Sequence, residues 1–275
     1  LRQKGLARKS LSKKRMRRME RTKERKQYFF VVQELVSREL KRRYSRSRLG
    51  ILWSVLNPLL SMAVLSMLFS TMFRRSIENY PVYYLTGSLF WTLFSTGTNG
   101  AMTALTDNKA LLLQVRLPKT IFPLARVWGA FVNLLYSLAA YAVILLIFGI
   151  RPSLSMLAFP AVTALAFLFT LGVGNVLAIL YSFFGDIRHL YSVVLTLWMY
   201  LSALFYPVSA LPEAVRRLLL LNPMYSYITA ARECVMYGRF PSGFLWLSMG
   251  IWAVLSWAGG SLVFRKWQNR IMERL

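Results

Sequence analysis

Residues 107–119 read DNKALLLQVRLPK, and they lie between two long apolar runs at about 81–105 and 122–148. Asp107 can cap the start of a helix, because its side chain can accept a hydrogen bond from a free backbone N–H. Pro118 ends such a helix, since it lacks an N–H donor and restricts the residue before it. The sequence therefore predicts a short helix with defined ends at a membrane surface.

Helical periodicity divides the apolar residues of 107–119 between two faces. At about 100° per residue, one face carries Leu111, Leu112 and Val115. The other face combines two apolar and two cationic side chains, namely Leu113, Leu117, Lys109 and Arg116. One face can contact the bilayer or the protein body, and the face with the cations suits docking to a second protein. A plain interfacial linker helix is the alternative that periodicity leaves open.

The composition indicates a polytopic membrane protein. Of the 275 residues, 56% are hydrophobic and only 16% are charged, which is more apolar than an ordinary soluble domain. A helix needs about 20 predominantly apolar residues to cross the hydrocarbon core. We predict an all-α fold with about six transmembrane helices, at about 50–73, 81–105, 122–148, 154–184, 191–206 and 243–264.

The chain divides into four parts along its length. A basic tail at 1–27 precedes an amphipathic interface helix at 28–48, and the six-helix transmembrane domain follows at 49–264. Within that domain, prolines and a glycine interrupt residues 207–242, which predicts short re-entrant helices between the fifth and sixth spans. Residues 265–275 form the C-terminal end.

Most of the formal charge of +25 lies at the front of the chain. Residues 1–48 hold 19 Lys and Arg against four acids, a net charge of +15. In a soluble protein this charge would favour a nucleic-acid partner. Beside a membrane span it more simply indicates a cytoplasmic anchor on anionic lipid, so we expect no nucleic acid. The positive-inside rule then places both termini in the cytoplasm.

The sequence lacks the motifs of nucleotide hydrolysis, proton coupling and metal binding. No GxxxxGK[ST] phosphate loop occurs, so the chain does not hydrolyse nucleotide by itself. The predicted spans lack the carboxylates of a proton relay. Cys234 is the single cysteine and His189 the single histidine, so we predict no metal site. Energy for transport would then enter from outside the membrane, which favours a docking role for residues 107–119.

Aromatic residues of the first, second and fifth spans could form the wall of a pathway, because aromatic faces contact the apolar faces of sugar rings. The candidates are Trp53, Tyr83, Tyr84, Phe90, Trp91, Phe94, Tyr200, Phe205 and Tyr206. Packing between helices or an interface belt is the alternative.

Two rival functions also fit the sequence. An integral membrane enzyme acting on lipid-linked sugar could use Glu213 or Glu233, the acids within the broken segment. The other rival is a passive channel or scaffold, for which ATP would make no difference.

The chain from residue 29 onwards contains a series of different short motifs. They are RELKRRY at 38–44, LGILW at 49–53, Asn57-Pro58, LPK at 117–119, FPLA at 122–125, DIRHL at 186–190, Tyr206-Pro207, Leu211-Pro212 and NPM at 222–224. Together they resemble the transmembrane subunits of ATP-binding-cassette exporters for polysaccharides, a family that includes teichoic-acid and O-antigen permeases.

The resemblance implies a bacterial plasma-membrane protein that forms a homodimer with a channel at the dimer interface. Two copies of a separate ATPase subunit would bind ATP and Mg, so this chain would bind no cofactor and would not be an enzyme alone. The substrate would be a lipid-pyrophosphate-linked glycan, with teichoic acid favoured over O-antigen.

The resemblance also assigns roles to two segments. The coupling helix that receives the ATPase stroke would include Asp107, Asn108, Lys109, Leu111, Leu113, Arg116, Leu117 and Pro118. A surface helix beside the ATPase would include Phe29, Arg38, Leu40, Arg42 and Tyr44.

Overall fold

A computed structural model describes residues 30, 31, 33–38, 50, 52–69, 77–114 and 118–271, which form helices without strands. The helices are α1 (described at 30, 31 and 33–38), α2 (Leu52–Phe69), α3 (Tyr80–Asp107), α4 (Lys109–Gln114), α5 (Ile121–Ile147), α6 (Phe159–Phe183), α7 (Ile187–Tyr200), α8 (Glu213–Leu220), α9 (Pro223–Val235) and α10 (Gly243–Ile271). Short 3-10 turns occupy Leu154–Ala158 and Val208–Ala210.

Three of the described helices are long and apolar enough to cross a membrane. They cover Ile121–Ile147, Leu154–Phe183 and Gly243–Gln268, and Val55–Phe69 is a shorter apolar helix. The predicted all-α polytopic membrane fold is therefore confirmed. The predicted fifth span corresponds to α7, whose 14 residues extend only about 21 Å and so fall short of the hydrocarbon core.

α3 is the central helix of the bundle. It packs against α2, α5, α6 and α9, and almost every side chain from Val82 to Phe94 is buried. Since residues on all sides of this part of the helix are covered, its pattern lacks the one-sided amphipathicity of a surface helix.

α6 and α10 cross with their backbones in contact. A Cβ atom added to Gly172 would lie 2.2 Å from the carbonyl carbon of Ser256, and one added to Gly260 would lie 2.2 Å from the Gly172 oxygen. Small residues permit this approach between membrane helices. Gly172 therefore has a packing role in α6.

Several predicted element boundaries differ in the structure. The fifth span was expected at about 191–206, but α7 covers Ile187–Tyr200. Asp107 does not begin the short helix; it is the last residue of α3, and a turn at Asn108 separates it from α4. The sixth span was expected to end near residue 264, but α10 continues to Ile271 as a single helix.

Candidate functional site

α4 is held against one end of the helix bundle by Leu112. This side chain is 6% exposed and belongs to a group of buried residues that we call the Leu112 cluster. Its members come from five helices and are Ala104, Leu105, Leu112, Phe122, Ala178, Ile179, Phe264 and Ile271. Leu35 of α1 and Leu111 pack against the same cluster. The short helix is therefore fixed to the ends of α3, α5, α6 and α10.

The opposite side of α4 is open. Leu113 is 58% exposed although its neighbour Leu112 is buried, in agreement with the two faces that helical periodicity predicts. We define the α4 surface as the exposed residues Lys109, Ala110, Leu113, Gln114 and Pro118. This surface presents an apolar leucine and a lysine cation, and the opposite face of the same helix packs against the helix bundle.

Asp107 has a different partner from the one that the sequence suggested. Its Oδ2 atom accepts a hydrogen bond from Nη2 of Arg126 at 2.8 Å and another from the hydroxyl of Thr103 at 3.0 Å. The expected helix cap is therefore wrong, because the carboxylate joins α3 to α5 instead of receiving the first N–H groups of α4.

Asn108 connects α4 to the N-terminal surface helix. Its Nδ2 donates to the carbonyl of Ala104 at 2.7 Å, and its Oδ1 accepts from Nη2 of Arg38 at 3.3 Å. Asn108 is 8% exposed, so burial protects these bonds from competing water. The structure thus brings together two of the segments that the sequence singled out.

The chain after α4 is tied to the end of α10. Nζ of Lys119 donates to the carbonyl of Gln268 at 2.7 Å, and partial burial lowers the pKa of Lys119. Six of the predicted site residues lie outside the described residues, namely Phe29, Leu40, Arg42, Tyr44, Arg116 and Leu117. Their roles stay predictions.

Five of the nine candidate pathway aromatics lie inside the bundle. Tyr83, Tyr84, Phe90, Trp91 and Phe94 are between 1% and 9% exposed. The Phe94 ring, for example, stacks on Phe169 at 5.3 Å and meets Trp198 edge-on at 5.0 Å. A wall along which a polymer slides has to be exposed, so within this chain these five side chains are core residues. The central position of α3 is the reason.

The other four candidates lie nearer the surface. Trp53 is 40% and Tyr200 55% exposed, and Phe205 and Tyr206 are partly buried. The hydroxyl of Tyr206 donates to the carbonyl of Tyr200. A pathway role for these four stays a prediction.

Arg232 is a buried charge within residues 207–242, the segment predicted to form re-entrant helices. It is 3% exposed on α9, and its guanidinium donates to the carbonyls of Tyr83, Ala203 and Leu204 at 2.9 to 3.2 Å. The same group lies 3.4 Å from the ring centroid of Tyr83. Arg232 therefore joins α9 to α3 and to the chain that follows α7.

The sequence does contain a signal for this burial. Arg232 follows Ile228 by four residues and precedes Val235 by three, so helical spacing puts it on an apolar face of α9. An arginine on such a face has to be satisfied by buried acceptors.

Glu213 and Glu233, the acids of the alternative enzyme hypothesis, form contacts with nearby residues. Glu213 pairs with Arg217 one turn further along α8, and both side chains are more than 70% exposed. Glu233 accepts a hydrogen bond from the backbone N–H of Ser242 at 3.3 Å. Neither contact indicates a catalytic pair of carboxylates.

Comparison with known proteins identifies the family. The family model described as ABC-2 type transporter matches residues 31–236. The O-antigen export system permease protein RfbA of Myxococcus xanthus is 36% identical over 239 residues, covering 86% of this chain and 92% of that protein. RfbA of Klebsiella pneumoniae is 28% identical over 242 residues, with coverage of 88% and 93%. The polysialic acid transport protein KpsM of Escherichia coli is 24% identical over 218 residues, with coverage of 77% and 83%. The chain belongs to the ABC-2 type transporter family.

Proposed function

We propose that this chain is the permease subunit of an ATP-driven exporter of a lipid-linked cell-surface polysaccharide. Membership of the ABC-2 family supports the transporter class, and the names of the relatives support a polysaccharide substrate. Those names favour an O-antigen or polysialic-acid type of polymer over the teichoic acid expected from the sequence.

The observation that carries the proposal is the construction of the α4 surface. Leu113 and Lys109 are exposed on a helix whose other face is anchored by Leu112 to the ends of four longer helices. A force applied to this surface would displace α3, α5, α6 and α10 together, because packed interiors deform little. This arrangement fits a docking site for a separate ATPase subunit.

The proposed assembly is a homodimer of this chain with two ATPase subunits, in the inner membrane of a bacterium. ATP and Mg would bind to the ATPase subunits, and both termini of this chain would lie in the cytoplasm on the side of α4. The clustering of basic residues at 1–48 supports this orientation.

Reconstitution tests the proposal directly. The full chain is purified with its candidate ATPase, placed in proteoliposomes and supplied with lipid-linked O-antigen, and export is measured with and without ATP. We expect a stable complex and export that requires both ATP and the ATPase. Transport without the ATPase would instead support a passive channel, and chemical change of the glycan by this chain alone would support the enzyme.

A further inference from the structure

A polar cavity of about 440 Å³ opens between α3, α5 and α7. Its lining contains hydroxyl and amide side chains from α3 and two arginines, Arg126 of α5 and Arg188 of α7. The α3 side chains with polar groups are Ser95, Thr96, Asn99 and Thr103. A cavity of this size fits a small charged group together with part of a neighbouring sugar.

The polar side chains follow one face of α3 towards α4. Ser95, Asn99, Thr103 and Asp107 are spaced four residues apart, so each lies about one turn from the next, and together they extend over about 18 Å of the helix. Polar groups at membrane depth are costly unless they meet polar partners. Some partners are internal, since Asn99 donates to the Ser95 carbonyl and Thr103 donates to Asp107. Ser95, Asn99 and Thr103 also line the cavity.

The two arginines make the cavity suited to an anion. The side chain of Arg126 passes over Gly100, where an added Cβ would lie 3.4 Å from the Arg126 Cβ, and its guanidinium reaches Asp107. Arg188 is exposed at the second residue of α7. Planar guanidinium groups bind phosphate oxygens with two parallel hydrogen bonds, and nearby hydroxyl and amide groups can add further ones.

We propose that this cavity binds the diphosphate group of the lipid-linked glycan, with Arg188 and Arg126 as its cationic contacts. The inference rests on the proposed function, which supplies a lipid-linked substrate. The headgroup of a bulk phospholipid would need only the membrane interface, whereas the polar face of α3 extends about 18 Å from Asp107. That depth suits sugars attached beyond the diphosphate.

The position of the site links it to α4. Arg126 is bonded to Asp107, the residue that directly precedes the turn into α4. A diphosphate bound to Arg126 would share this guanidinium with the Asp107 carboxylate. Binding in the cavity would therefore alter the Arg126–Asp107 contact at the start of the proposed ATPase-docking segment.

The test is equilibrium binding to the full chain in nanodiscs of uncharged lipid, without any ATPase. The probes are a polyprenyl diphosphate, phosphatidylglycerol and inorganic pyrophosphate, and the readout is native mass spectrometry or tryptophan fluorescence. We expect the polyprenyl diphosphate to bind more tightly than phosphatidylglycerol, and inorganic pyrophosphate to compete with it.

Arg188→Gln is the diagnostic variant. Losing one charge-assisted contact should weaken binding of the polyprenyl diphosphate about tenfold or more. Arg188→Lys should retain more affinity than Arg188→Gln. The matched control is Arg217→Gln, which removes an exposed arginine from α8 and should leave binding unchanged. Asn99→Leu provides a second variant within the cavity and should also weaken binding.

Several outcomes would overturn the inference. One is equal binding by wild type, Arg188→Gln and Asn99→Leu. Another is equal affinity for phosphatidylglycerol, which would make the cavity a bulk-lipid site. A changed oligomeric state with unchanged binding would make this face a contact between copies of the chain. Binding is measured without ATP, so a failure of ATP-driven export alone refutes the proposed function and leaves this result intact.

Discussion

Arg126 and Arg232 each join helices in this protein, and they do so in opposite environments. Arg126 meets the Asp107 carboxylate at 2.8 Å, with side chains that are 13% and 34% exposed. Arg232 is 3% exposed, and its described partners are three backbone carbonyls and the Tyr83 ring. Water and ligands can compete for the contact between Arg126 and Asp107, which we call the open joint. They are excluded from the contacts of Arg232, which we call the closed joint. We therefore assign the closed joint to the stability of the fold and the open joint to function.

The largest expected effect is on the closed joint. Arg232→Met removes the donor of three buried carbonyls, which should lower the free energy of unfolding by about 4 kcal/mol or more. The measurement is thermal or denaturant unfolding of the purified chain in detergent. Arg239→Met is the control, because Arg239 is an exposed arginine just after α9. Equal loss in the two variants would remove the distinction between closed and open joints.

The second-largest effect on stability is expected in the Leu112 cluster. Leu112→Ala should cost about 2–3 kcal/mol, because it leaves a cavity where five helices meet. Leu113→Ala, one residue further along, should change stability by about 0.5 kcal/mol or less. Unfolding curves of both variants check the prediction. Similar losses would contradict the burial difference within α4.

A substitution on the α4 surface should affect binding to the ATPase subunit instead of the stability of the chain. Leu113→Asp should weaken association with the ATPase subunit about tenfold, since it places a charge where an apolar contact is expected. Pull-down or light scattering of the purified subunits gives the comparison with wild type. Leu221→Asp is the control, because this leucine is 68% exposed at the end of α8. If only Leu221→Asp weakened the complex, the docking surface would lie elsewhere.

The smallest effect is expected at the open joint. Asp107→Asn should destabilise the chain by about 1 kcal/mol or less, because partly exposed ion pairs contribute little. Raising the salt concentration should reduce the difference between wild type and this variant, whereas the effect of Arg232→Met should persist. A salt-independent loss at Asp107 would place the pair among the closed joints.

Local patterns in the sequence predicted much of the architecture. Apolar runs of sufficient length indicated the membrane helices, prolines marked the broken region that contains α8 and α9, and helical spacing separated Leu112 from Leu113. Each of these features depends on residues within a few turns of one another.

The candidate site was predicted only in part, because its polar contacts join distant segments. Asp107 is a good helix cap by residue type, but Arg126, nineteen positions later, lies within 2.8 Å and takes the carboxylate. The aromatic residues of α3 were candidates for a pathway wall, and the packing of four other helices around α3 buries five of them.

By itself, the sequence determined that this chain is helical and membrane-spanning, that prolines interrupt residues 207–242, and that Leu112 and Leu113 lie on different faces of α4. These properties follow from chain chemistry at helical spacing. Only the tertiary structure decided that α3 lies at the centre, that Arg232 is enclosed by Tyr83, Ala203 and Leu204, and that Arg126 and Arg188 share a cavity. Those properties depend on which helices become neighbours, and that choice follows from the packing of all their surfaces together.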